Sequence, residues 1–129
     1  MACVASGLLA TELALSAFTL GWTHSIEKVR WEEDWRVEAG ALVLVEGRVH
    51  GSGAGMEPPD GAELVGGVWR YRPPLRVPRL SLAHSPFVRG HEVCDGDGRC
   101  RPLADWLPGL PAYATIDILP CADDVPGAP

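Results

Sequence analysis

The sequence has almost no lysine, no excess of positive charge and no long unbroken apolar run, and each shortage removes a class of function. Lys28 is the one lysine, and 11 basic against 17 acidic residues leave a formal net charge of -6. That sign repels phosphate backbones and anionic lipid surfaces, so nucleic acid is not an expected partner. The preference for Arg, beside 15 Gly and 12 Pro, reads as codon usage rather than as a design for anion binding. Met1 to Leu20 is apolar enough to raise the question of an export signal, yet it has no basic leading region and is interrupted by Gly7 and Glu12. A membrane span needs about 20 consecutive apolar residues, and Thr11, Glu12 and Ser16 break the only candidate. No membrane insertion is expected, and without a recognisable signal the default location is cytoplasmic.

What is present suits an ordinary small globular protein. A chain of 129 residues, 47% hydrophobic and 22% charged, lies outside the disordered class and can form one core. We expect one β domain over residues 1–121 and a flexible tail over 122–129, where apolar periodicity stops. Short alternating runs bounded by Gly and Pro predict an all-β fold: a small antiparallel sandwich or barrel-like domain with at most one short helical turn. Ala2 to Ala5 and Leu8 to Ala14, on either side of Ser6-Gly7, read as an opening hairpin. Strands are predicted at Phe18 to Thr23, Trp31 to Val37, Leu42 to Val49, Val68 to Arg72, Arg79 to His84 and Tyr113 to Leu119. Glu57 to Gly61 carries two prolines and marks a turn, Pro73-Pro74 and Pro108 to Pro111 are breaks, and Leu103 to Leu107 suggests the helical turn.

The chemically densest stretch is Trp22-Thr23-His24-Ser25-Ile26-Glu27-Lys28, followed by Trp31-Glu32-Glu33-Asp34-Trp35. His24 could act as a general base oriented by Glu27 or Glu33, with Ser25 as nucleophile. Neighbours on a strand point to opposite faces, which weakens the Ser25 role and favours a structural one, with His24 and Ser25 bonding to turn backbone. In Gly51-Ser52-Gly53-Ala54-Gly55-Met56, Ser52, Gly53 and Gly55 offer a flexible backbone whose N–H groups could cradle a carboxylate or phosphate. A glycine bulge is the alternative reading. The segment has neither the context of a dinucleotide fingerprint nor a Walker lysine.

Four cysteines, Cys3, Cys94, Cys100 and Cys121, leave the redox question open. Cys94 and Cys100 flank Asp95-Gly96-Asp97-Gly98, a tight-turn sequence whose arms would lie close enough for a disulfide, whereas a reducing compartment would keep the thiols free. His84, His91, Cys94 and Cys100 match no zinc spacing, and Asp95 and Asp97 start a calcium pattern that Arg99 ends, so neither metal nor cofactor is expected. Trp22, Trp31, Trp35, Trp69 and Tyr71 read as core rather than as a stacking platform.

Nearly the whole chain resembles the bacterial family of the domain of unknown function 1850. The resemblance rests on residues 23–28, Trp31-Glu32-Glu33, residues 51–59, Tyr71-Arg72-Pro73, Ser85, Cys94 and Cys100-Arg101-Pro102-Leu103. It implies an association with TRAP transporters of the TAXI class, which import small carboxylates, and a periplasmic setting that stands against the apparent lack of a signal. The leading expectation is a non-enzymatic accessory protein binding a TRAP transporter component or a small carboxylate through His24, Ser25, Glu27, Glu33, Ser52, Gly53 and Gly55. The rivals are a small hydrolase or isomerase with a His/carboxylate site, and a purely structural module.

Overall fold

A computed structural model of the protein describes residues 1–23, 29–50, 61–87 and 90–121. Twelve strands follow in chain order: β1 (Ala2–Ser6), β2 (Leu9–Glu12), β3 (Ala17–Thr23), β4 (Arg30–Glu38), β5 (Ala41–His50), β6 (Glu63–Val65), β7 (Val68–Tyr71), β8 (Arg76–Val77), β9 (Leu80–His84), β10 (Glu92–Cys94), β11 (Cys100–Pro102) and β12 (Ala114–Pro120). The one helical element among the described residues is a 3-10 turn at Leu103–Trp106.

The strands form two antiparallel sheets. The smaller runs β2-β1-β12-β9; the larger runs β11-β10-β3-β4-β5-β7-β6, with β8 also pairing with β5. The protein is therefore all-β, as its alternation predicts. The opening hairpin is present, shorter on its second arm than the sequence suggests. β6, β8, β10 and β11, of two or three residues each, escape a reading based on alternation because so few residues do not establish a period.

The core lies between the sheets. Val4, Ile116 and Ile118 from the smaller sheet meet Phe18, Leu20, Trp35, Leu42, Leu44 and Val93 from the larger, and Leu103 and Leu107 join them beside the 3-10 turn. Each such side chain contributes roughly 1.5 to 3 kcal/mol by leaving water. In β4 the odd residues take the core side and the even ones the outer side, as period two requires. The pairing of β4 with β5 shifts between Asp34 and Trp35, so Val45 stands as an extra residue opposite them.

Two disulfides settle the cysteine question in this structure. Cys94 pairs with Cys100 across β10 and β11, and Cys3 pairs with Cys121, joining β1 to the end of β12. No described cysteine is free. The turn between Cys94 and Cys100 is built on Asp95, whose carboxylate accepts the backbone N–H groups of Asp97 and Arg99 at 2.9 and 3.0 Å. These aspartates serve a turn.

Candidate functional site

The functional chemistry of the larger sheet begins with the alternation of β4. Glu32 and Asp34 face outward, where Arg48 of β5 bonds Asp34 through two guanidinium nitrogens at 2.7 and 2.9 Å and reaches Glu32 at 3.3 Å. The Arg48 hydrogen bonds hold the Asp34 carboxyl below its usual range. At Glu32 burial opposes ionisation, but bonds from His50 and Arg48 outweigh it and lower the pKa. Further along, Glu46 is buried and accepts Arg70 at 2.6 Å and Arg72 at 3.4 Å. This outer face is an ion-pair lattice whose charges satisfy one another.

Glu33, between those two carboxylates, faces the other way. Register places it in a row with Leu20, Gly47 and Tyr71. Trp35 donates its indole N–H to Glu33 Oε1 at 3.2 Å, yet burial dominates and raises the Glu33 pKa. The Tyr71 ring folds over Gly47 so closely that any Cβ there would collide with it. Burial and the charge of Glu33 together raise the Tyr71 pKa. The adjoining row carries Trp22, Trp31, Val49, Trp69 and Leu64 across five strands. Trp22 and Trp31 stack with centroids 6.1 Å apart, and His91 lies 5.4 Å from Trp22. Only Trp35 among these tryptophans is fully buried; Trp22, Trp31 and Trp69 are half-buried.

Beside His91 a cleft of about 410 Å³ opens, lined by Thr23 and Arg30 of the larger sheet, Leu82 and His84 of the smaller, and Leu103 at the 3-10 turn. It lies within the roughly 300 to 1,000 Å³ range of small-molecule sites. Arg30 pairs with Glu92 of β10, and its Nε is 3.6 Å from Glu32. Arg30 reaches Glu92 by lying across Gly21, where a Cβ would strike the guanidinium. Burial pushes the His91 pKa down, so its imidazole is neutral near pH 7.

Of the residues singled out from sequence, His24, Ser25, Glu27, Ser52, Gly53 and Gly55 lie outside the described residues. The described strands leading into both segments end in one register row, Thr23 opposite Arg30 and Arg30 opposite His50. Glu33 stands next to Tyr71, and the described histidines keep away from it: His50 contacts Glu32, His91 contacts Trp22, and His84 lines the cleft. His84 and His91 line one cleft without the cysteines. Glu92, Cys94 and Cys100 place donor atoms within 4.8 Å of one another, but the disulfide ties up both sulfurs, so the cluster offers no thiolate to a metal in this form. Sequence reasoning missed Arg30, Glu92 and Gly21, because nothing local relates position 30 to position 92.

A family-wide sequence profile described as domain of unknown function (DUF1850) matches residues 18–103. The chain belongs to that family. Comparison with curated proteins and with solved structures finds no match. The part covered by the DUF1850 match runs from β3 to the start of the 3-10 turn and contains Arg30, Glu33, His84, His91 and Glu92.

Proposed function

We propose that this DUF1850 protein is a non-enzymatic binding module that takes a small carboxylate-bearing molecule into the cleft at the end of its sandwich. The observation that carries the reading is a cleft of about 410 Å³ that brings Arg30, Thr23, His84 and His91 together with Leu82, Ala83 and Pro102 in one lining. A small-molecule site is built in this way: apolar walls supply area, and a few placed polar groups orient the ligand. The physiological setting we propose is an accessory role beside a TRAP-type (TAXI) carboxylate transporter. Two disulfides support an oxidising compartment for that role.

A thermal-shift screen against small carboxylates and amino acids tests the reading. A ligand at a hundred times its Kd adds about 2.7 kcal/mol, which raises the midpoint by several degrees in a protein of this size. The shift is expected to vanish in Arg30→Gln; a shift that survives in Arg30→Gln places the ligand elsewhere.

Glu33 favours a second reading, a small hydrolase or isomerase, because a carboxyl with a raised pKa beside a phenol is suited to proton transfer. That reading requires turnover with a pH dependence that disappears in Glu33→Gln.

A further inference from the structure

On the outer face of the larger sheet the carboxylates of β4 and β5 have arginine partners: Glu32 and Asp34 have Arg48, and Glu46 has Arg70 and Arg72. Glu33 has none. The register puts it on the opposite face from Arg30, Arg48 and Arg70. Its hydrogen bond comes from the neutral indole of Trp35, and among the described residues no cation pairs with it. A half-buried carboxylate without a counter-charge is costly, and here the protein itself supplies no compensation.

The surroundings of Glu33 are aromatic. Tyr71 stands across Gly47 from it with its ring folded over the glycine, and in the adjoining row Trp31 and Trp69 flank Val49. Glu33, Tyr71, Trp31 and Trp69 are thus the corners of a box two strand spacings wide and two residues long, roughly 10 Å by 7 Å between backbones. Gly47, which carries no side chain, and the fully buried Val49 lie between the corners. Trp31, Trp69 and Leu64 neither belong to the core cluster shared by the two sheets nor pack against it, and Leu64, next in the row, is 54% exposed.

A carboxylate among aromatic side chains suits a cation that gives up its water readily. A divalent metal ion requires several oxygen ligands, and the box supplies one carboxylate. A primary ammonium requires an acceptor for each of its three N–H groups, and Glu33 is already engaged in part by Trp35. A quaternary ammonium has no N–H to satisfy, and its attraction to aromatic rings replaces the water it sheds. The box has room for one such head group.

We propose that this face of the larger sheet binds a small quaternary ammonium compound, its head group held among Trp31, Trp69 and Tyr71 with Glu33 as counter-charge. The proposal depends on neither reading above, since none of these four residues lines the cleft.

Isothermal titration with choline and with 3,3-dimethylbutan-1-ol, which has the same shape without the charge, tests it. Near neutral pH the unaltered protein should bind choline about tenfold or more tightly than the alcohol, a difference of about 1.4 kcal/mol. Glu33→Gln should remove that preference, and Trp69→Leu should weaken both ligands, with circular dichroism confirming the fold of each variant. Choline affinity should fall as pH is lowered through the raised pKa of Glu33, while Tyr71 beside it stays neutral, and the dependence should vanish in Glu33→Gln. Failure of the unaltered protein to bind choline, equal affinity for the alcohol, or choline binding unchanged in both variants overturns the proposal.

Discussion

The smaller sheet is closed by the two ends of the described chain: β1 and β12 pair from Ala2 opposite Pro120 to Ala5 opposite Asp117, and a disulfide joins Cys3 to Cys121. The larger sheet has the β3-β4-β5 meander at its centre, flanked by the β10-β11 hairpin on β3 and the β6-β7 hairpin on β5, and carries its ion pairs on one face and its aromatic rows on the other. The DUF1850 match covers the larger sheet and β9 but leaves out β1, β2 and β12. The matched part nevertheless cannot bury Phe18, Leu20, Trp35 and Leu42 alone, because Val4, Ile116 and Ile118 are their partners across the core. The candidate cleft draws its lining from both sheets, so neither sheet builds it alone.

Cutting the covalent closure breaks the comparison hardest. Replacing Cys3 and Cys121 by Ser opens a loop with a sequence separation of 118, for which the chain-entropy account gives a loss of about 4 to 5 kcal/mol. Replacing Cys94 and Cys100, separated by 6, should cost roughly 2 kcal/mol on the same account. Urea unfolding of the two double variants measures the difference, and equal midpoints would refute the loop-closure explanation.

The two faces of β4 are compared next. Asp34→Asn removes the bidentate partner of Arg48 and should cost about 1 to 2 kcal/mol at neutral pH. Because the folded pKa of Asp34 is lowered, its contribution is fully present above its unfolded value and is lost as pH falls through the folded one. Denaturant midpoints measured from neutral to acid pH should therefore fall less steeply in Asp34→Asn than in the unaltered protein.

Glu33 titrates with the opposite sign. Its folded pKa is raised, so the carboxyl penalises folding once ionised: stability falls as pH rises from the unfolded value through the folded one, and the penalty is absent below the unfolded value. Glu33→Gln should stabilise the protein at neutral pH by less than about 1 kcal/mol and leave it unchanged or weaker in acid. Destabilisation at neutral pH would mean that the Trp35 hydrogen bond to the charged form outweighs burial. Neighbouring carboxyls on one strand would then differ less than their environments suggest.

Much of this architecture is legible along the chain. The alternation of Trp31, Glu33, Trp35 and Val37 with Glu32, Asp34 and Arg36 assigns strand and faces, and the Asp-Gly repeat between Cys94 and Cys100 announces a turn. Gly66-Gly67, with φ of 58° and 81° between Val65 and Val68, was a readable hairpin signal for β6 and β7. β8 left no such trace.

The sequence by itself determined the all-β class, the opening hairpin, the tight turn between Cys94 and Cys100 and the two-faced character of β4, because these follow from a period of two and from local backbone chemistry. Only the tertiary structure decided which carboxylates are neutralised, that Cys3 meets Cys121 across 118 positions, and that Arg30 crosses Gly21 to reach Glu92 beside His84 and His91. Pairings between distant strands depend on which sheet each strand joins and in what register, and one strand's pattern of apolar and polar residues is compatible with many partners.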